Sequence, residues 1–259
     1  MLKHLKIAQI YIKLNLQKIL AYRLNAFFNL LTTTVFLITF VLSLYLTFKA
    51  VPIIGGYSFD QMLSLLFLAQ IWWFLQVMFV RKNMQYIAES INSGSLDMYL
   101  LKPVKLWFLM PFLQLDANHL VPTVFYSGVF IWQAQHFQAN WWQSLLAVFF
   151  FLNSVMIIYF FISLFTFSNF WIGRNYSIFD ISFQFPDFLQ IPVEFFTGNL
   201  KWIFTFLIPL IPMVNPSLQI LMGKLDITLM FTSLALTATL GLLSYTLWKK
   251  GLRSYTSAN

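Results

Sequence analysis

The side chains in this sequence that are best suited to take part in chemistry are Asp116, Asn118 and His119, which lie within an otherwise apolar segment. Asp116 and His119 are three positions apart, so on a helix they would share one face. An ionisable pair inside an apolar helix can relay protons, contact a substrate or bind a metal ion. One aspartate and one histidine are too few for a metal site, which takes three or four ligands. We favour a structural pair between helices or subunits.

Other common chemistries are excluded by what the sequence lacks. It has no cysteine, which rules out disulfides and thiolate metal sites. No two glycines form Gly-x-x-x-x-Gly-Lys-Ser/Thr, the loop that holds nucleotide phosphates. Three scattered histidines do not form the cluster that an enzyme acting on lipid would need. We therefore expect no catalytic residue, no metal site and no cofactor on this chain.

The composition predicts an all-α integral membrane protein. Of the 259 residues, 59% are hydrophobic and only 9% are charged, whereas a soluble domain has roughly a quarter of its residues charged. A bilayer crossing takes about 20 apolar residues, so the chain fits about six crossings in a single domain, 1–259. The net charge of +8 is better explained by membrane topology and anionic lipid than by nucleic acid.

Uncharged runs place the transmembrane helices. We predict spans near 26–48, 58–80, 109–132, 143–168 and 226–248. The course of 169–222 is open because five prolines interrupt 185–217. Either 200–222 forms the fifth crossing, or 170–191 crosses and 192–222 enters from outside as a re-entrant hairpin; we favour the second. The fifth span would then be unusually polar, containing Arg174, Asp180 and Asp187.

Lysine and arginine predict the orientation. With the N-terminus in the cytoplasm, thirteen basic residues lie inside and three, Lys49, Lys201 and Lys224, lie outside. Both termini are then cytoplasmic. Residues 1–23 form an amphipathic helix pattern that suits the inner membrane interface. This segment has five basic residues and no small-residue cleavage pattern, so we expect no cleavable signal peptide.

The cytoplasmic loop 81–108 has the most specific local pattern. Met84, Ile87 and Ile91 share one helical face, and Gly94 is a suitable helix stop because glycine accepts a left-handed conformation. Ser95 could cap a second short helix that ends at Pro103. Two short helices joined by a tight corner suit docking to a cytoplasmic partner, although an ordinary amphipathic connector fits the pattern equally well.

A resemblance favours docking. The segment Ile91-Asn-Ser-Gly-Ser-Leu-Asp-Met-Tyr-Leu-Leu-Lys-Pro-Val104 resembles the pattern Ile-x-x-Gly-x-Leu-Asp-x-x-Leu-Leu-Arg/Lys-Pro-Val. That pattern is found in a branch of the type-2 exporter permeases of ATP-binding-cassette (ABC) transporters, which are six-span membrane subunits. The similarity extends over essentially the whole chain and includes the interfacial helix and the hairpin before the last span.

The resemblance implies a partner ATPase and a coupling segment. The loop would carry the helix that sits in a groove of a separate ABC ATPase, with ATP and magnesium bound on that partner. A second permease, identical or a sister chain, is also implied, as is a plasma membrane of bacterial type. The implied coupling residues are Glu89, Gly94, Leu96, Asp97, Leu100, Leu101, Lys102 and Pro103.

Polar and aromatic residues within the spans are further candidates. We assign a translocation path or subunit interface to Gln70, Trp73, Asp116, His119 and Asn153, although Gln70 and Asn153 also suit interhelical hydrogen bonds. A re-entrant gate is assigned to Pro209, Pro212, Asn215 and Pro216. The alternative function is a proton- or ion-coupled secondary transporter that uses Asp116 and His119.

Overall fold

A computed structural model describes residues 9–10, 13–14, 17, 23–102, 105–173, 180–181 and 184–256. Within these ranges the chain is built from helices and connecting turns. The helices are α1 (Arg23–Ala50), α2 (Phe59–Gln76), α3 (Lys82–Ser93), α4 (Asp97–Leu100), α5 (Leu106–Leu109), α6 (Leu120–Ala134), α7 (Trp141–Ile172), α8 (Phe185–Leu189), α9 (Gly198–Trp202), α10 (Ile211–Leu221) and α11 (Ile227–Ser254).

Helix α7 lies at the centre of the packing. It contacts α11 and α10 most extensively, and α3 and α2 pack on its other sides. The shared core includes Trp72 of α2, Met84 of α3 and Ile162 of α7, all fully buried. Apolar residues elsewhere on α1, α7 and α11 are exposed, as expected for surfaces that face lipid.

Four helices among the described residues are long and apolar enough to cross a membrane. They are Phe27–Ala50, Phe59–Ser93, Trp141–Ile172 and Ile227–Ser254, and they match four of the predicted spans. The second is longer than predicted, because a π-helical turn at Val77–Arg81 joins α2 to α3 without a break. The first helix of the predicted cytoplasmic loop is therefore continuous with a candidate membrane span. The total of six spans stays a prediction.

The prediction of one helix over 109–132 is wrong in its first third. The chain forms α5, a 3₁₀ turn at Met110–Phe112 and a second 3₁₀ turn at Ala117–His119 before α6 begins at Leu120. Pro111 cannot donate a helical hydrogen bond. The Asp116 carboxylate accepts from the Asn118 amide at 3.4 Å, a local bond that competes with helix formation.

The proline-rich segment is sharply bent. Gly198–Leu207, which ends in a π-helical turn, and Ile211–Leu221 meet at 101°, with Pro209 in the break. The geometry excludes one straight helix over 200–222 and is compatible with a broken span or a re-entrant pair. Every residue of α10 is buried. Burial by protein is the condition under which irregular backbone is tolerated at membrane depth.

A hydrogen-bond chain fixes α10 to its neighbours. Pro216 lies inside α10 and has no N–H for the carbonyl of Pro212 one turn earlier. The hydroxyl of Ser233 on α11 donates to that carbonyl at 3.0 Å, and the Asn153 amide on α7 donates to the Ser233 oxygen at 2.8 Å. Thr237 also donates to Asn153 at 2.9 Å. The expected interhelical hydrogen bond of Asn153 is confirmed.

Two predicted features lie mostly outside the described residues. The interfacial helix over 1–23 is described only at a few positions, which are helical. The crossing over 170–191 overlaps the end of α7 at Ile172 and includes α8, but 174–179 and 182–183 between them are not described. Both features stay predictions.

Thr237→Val should destabilise the bundle more than Thr239→Val. Both hydroxyls bond a carbonyl one turn earlier in α11, but only Thr237 also reaches Asn153. An interhelical hydrogen bond in a membrane protein contributes about 0.6 kcal/mol on average, so we expect Thr237→Val to lose about that much more stability than Thr239→Val. Denaturant unfolding in mixed micelles measures the difference. Equal stabilities of the two variants would contradict the proposed contribution.

Candidate functional site

The corner between α3 and α4 is formed by a left-handed glycine. Gly94 ends α3 with φ +74°, as the sequence predicts, and its amide donates to the Ile91 carbonyl at 3.5 Å. The Leu96 amide donates to the Ser90 carbonyl at 3.2 Å, and the Leu96 side chain is fully buried. Any other residue at 94 would be strained at this φ, so the corner depends on glycine.

Two tyrosine contacts hold the corner against the rest of the fold. The hydroxyls of Tyr86 on α3 and Tyr99 on α4 hydrogen bond to each other. The hydroxyl of Tyr255, just beyond α11, donates to the Gly94 carbonyl at 2.6 Å. Burial, with the nearby Asp97 carboxylate, raises the pKa of Tyr255 above its ordinary value, so this donor stays protonated at neutral pH. The corner is thus attached to both α3 and α11.

The far side of the corner is an exposed apolar surface. Met98 is 63% exposed, Leu100 is 41% exposed and Leu101 is 85% exposed, and we call these three residues the apolar tip. Glu89 on α3 is exposed, Asp97 is half-buried, and the Lys102 ammonium lies 4.3 Å from the centre of the Tyr99 ring.

The structure of the corner differs from the sequence prediction at the start of α4. The prediction that Ser95 caps this helix is wrong: α4 has Leu96 at its N-cap without a side-chain cap, and the Ser95 hydroxyl bonds that of Ser93 at 2.8 Å. Pro103 lies outside the described residues. Met98 is not among the predicted coupling residues, because hydropathy alone does not tell which apolar positions of a four-residue helix face outward.

Asn83 is a structural anchor that the sequence analysis missed. It is fully buried at the start of α3. Its amide donates to the Pro111 carbonyl at 2.9 Å, and its carbonyl oxygen accepts from the Gln114 amide at 2.7 Å. Asn83 therefore supplies the partners that the irregular segment 110–116 lacks. No local pattern could have indicated this, because the partners lie about thirty positions away.

Asp116 and His119 do not share the predicted helical face. The Asp116 carboxylate accepts from the Asn118 side chain at 3.1 Å and lies 3.6 Å from the Lys82 ammonium. The His119 ring instead lies against Trp73 and Phe74, with ring centres 5.4 and 5.9 Å apart. The expected continuous helix is broken at this point, which explains the difference. Asp116 connects the start of α3 to the segment before α6.

Gln70 and Trp73 line a cavity between α1 and α2. Its volume is about 310 Å³. Phe36, Thr33 and Asp187 also line it. Asp116, His119 and Asn153 are not among its lining residues. Of the five residues assigned to a path or interface, the structure brings two together at this cavity.

The four predicted gate residues are all buried around the bend. Pro209 lies in the break, and Pro212, Asn215 and Pro216 lie in α10. A second cavity of about 770 Å³ lies beside this bend, with Glu194, Lys201 and Gln219 in its lining. The bent segment therefore has a buried proline-rich arm, and residues of both arms border a cavity whose lining includes charged side chains.

Asn83→Leu should release segment 110–116. We expect faster amide hydrogen exchange at Gln114 and a loss of about 2 kcal/mol in stability, because buried backbone groups lose their partners. Asn83→Asp is the control for the acceptor, since it keeps the oxygen that accepts from Gln114 and loses the amide that donates to Pro111 and to Phe79. Hydrogen exchange by mass spectrometry over 109–119 measures both. Unchanged exchange in Asn83→Leu would rule out the anchoring role.

Comparison with known proteins gives one match. A family model described as ABC-2 family transporter protein matches residues 31–259. No curated protein and no solved structure matches the chain. The matched residues include the corner, the second cavity, nearly all of the lining of the first, and all of the four long apolar helices except the start of the first. The chain therefore belongs to the ABC-2 transporter family and is a multi-pass membrane permease component of an ABC transporter.

Proposed function

We propose that this chain is the permease subunit of an ATP-driven exporter and couples to a separate ABC ATPase through the corner at Gly94. The observation that carries the proposal is the apolar tip. Met98, Leu100 and Leu101 are exposed on a corner whose backbone is fixed by Gly94 and Tyr255. An exposed apolar anchor on a rigid support is typical of a docking element.

The charge distribution supports a cytoplasmic position for the tip. The proposed topology puts the corner on the same side as thirteen of the sixteen basic residues, with both termini cytoplasmic and the bent segment 192–222 near the outer face. A cytoplasmic ATPase could then reach the tip. ATP and magnesium would bind the partner, because the chain lacks the phosphate-binding loop. The proposed location is a bacterial inner membrane.

The proposed coupling residues have separate roles. Gly94 and Leu96 shape the corner, Leu100 and Leu101 supply the apolar contact, and Glu89, Asp97 and Lys102 provide charge around it. Pro103 remains part of the proposal by resemblance. ATP-driven closure of the ATPase pair would displace the tip. The continuous helix Phe59–Ser93 would transmit this displacement to the part of α2 that lines the cavity between α1 and α2.

A second permease completes the proposed transporter. Two permease subunits and two ATPase subunits would form the transport path, with the buried prolines 209, 212 and 216 and Asn215 as the gate near the outer face. The proton-coupled alternative is less well supported, because the Asp116 carboxylate is engaged by Lys82 and Asn118.

Leu101→Ser should disrupt ATPase association. The tagged chain is purified from its native membrane in mild detergent, and accompanying chains are quantified by mass spectrometry. Loss of the most exposed anchor should weaken ATPase association about thirtyfold and so reduce the recovered ATPase, since a hot-spot residue contributes about 2 kcal/mol. Mass spectrometry would also identify a sister permease or a second copy.

The matched control is Leu225→Ser. Leu225 is 56% exposed in the turn before α11, far along the chain from the corner, and should leave ATPase recovery unchanged. If the wild-type chain is recovered intact without an ATPase, the proposal fails. Equal losses in the two variants would refute the assignment of the docking site to the tip.

A further inference from the structure

The hydroxyl groups that line the cavity between α1 and α2 already donate their protons to backbone carbonyls. Thr32 donates to the Phe28 carbonyl at 2.8 Å, and Thr33 donates to the Asn29 carbonyl at 2.9 Å. Tyr126 donates to the Thr33 carbonyl at 2.8 Å. A hydroxyl has one proton and two lone pairs, so each of these oxygens can offer a bound molecule only lone pairs. These hydroxyl groups therefore favour a ligand that donates hydrogen bonds or carries positive charge.

The charge at the cavity also favours a positively charged ligand. Asp187 of α8 is in the lining, and the described lining contains no lysine or arginine. The ion pairs found among the described residues join Arg81 to Asp180 and Lys82 to Asp116. Asp187 is an exposed residue of a partly apolar lining, and its carboxylate attracts a cation. It would repel the phosphate of a lipid headgroup.

The remaining walls suit an aromatic or apolar body. Phe36, Phe40, Trp73 and Phe74 line the cavity. Aromatic faces attract ammonium groups through the ring quadrupole and stack on other rings. The volume of about 310 Å³ is at the lower end of the range for sites that hold drug-sized ligands.

We propose that this cavity binds a cationic amphiphile, with its ammonium group near Asp187 and its apolar body between the aromatic side chains of α1 and α2. The inference rests on the proposed function and names the substrate class of the permease. Gln70 would then orient the charged end, and Trp73 would contact the apolar body.

The test compares two probes of equal shape. Naphthylmethyl-trimethylammonium and its neutral isostere, in which a quaternary carbon replaces the nitrogen, are titrated onto the full chain in lipid nanodiscs with any partner that co-purifies. Binding to empty nanodiscs is subtracted. We expect the cation to bind about tenfold more tightly than the isostere. Asp187→Asn should remove that preference and leave isostere binding unchanged, which also shows that the cavity is intact.

Glu194→Gln is the matched control, because Glu194 is an exposed carboxylate that lines the other cavity. It should keep the preference for the cation. Equal binding of both probes by the wild-type chain, no binding of either, or an unchanged preference in Asp187→Asn would overturn the inference. ATPase recovery separates this result from the proposed function, since Asp187→Asn should still co-purify with the ATPase. Charge-selective binding without an ATPase would contradict the proposed function alone.

Discussion

The most demanding constraint in this fold is a backbone carbonyl that its own helix cannot satisfy. Pro216 leaves the Pro212 carbonyl without the N–H that would normally follow one turn later. In an apolar interior, such an unpaired group costs several kcal/mol. Ser233 supplies the donor and is itself bonded by Asn153. One missing N–H thus explains why polar side chains on α7 and α11 meet beside α10.

The consequence is a bundle with unequal packing. Helices α7, α10 and α11 are joined by this hydrogen-bond chain, and a second contact links Ser163 of α7 to Ser244 of α11. Helix α1 is held less firmly: none of its apolar window is buried, against 78% for the window in Phe59–Ser93. Weakly packed elements move at low free-energy cost. The cavity of about 310 Å³ lies at the boundary between α1 and the better-packed helices.

The sequence is most informative where a local rule decides the structure. Long uncharged runs predict α1, α2, α7 and α11, and the conformational freedom of glycine predicts the end of α3 at Gly94. Prediction fails where partners are distant. Asn83 bonds Pro111 and Gln114, so a stretch with the hydropathy of one helix is held open instead. The expected common helical face of Asp116 and His119 depends on that helix and is lost with it.

The continuity of Phe59–Ser93 connects the Gly94 corner to the cavity between α1 and α2. One end of this helix carries the corner, and the part within the bundle carries Gln70 and Trp73 at the cavity. A rigid helix transmits displacement along its length, whereas a flexible loop would absorb it. The π-helical turn at Val77–Arg81 lies between the corner and the cavity, and such turns often mark functional positions. On the proposed function, force applied at the apolar tip would reach the cavity through α3, this turn and α2. Part of that force would reach the segment before α6 through Asn83 and the Lys82–Asp116 ion pair.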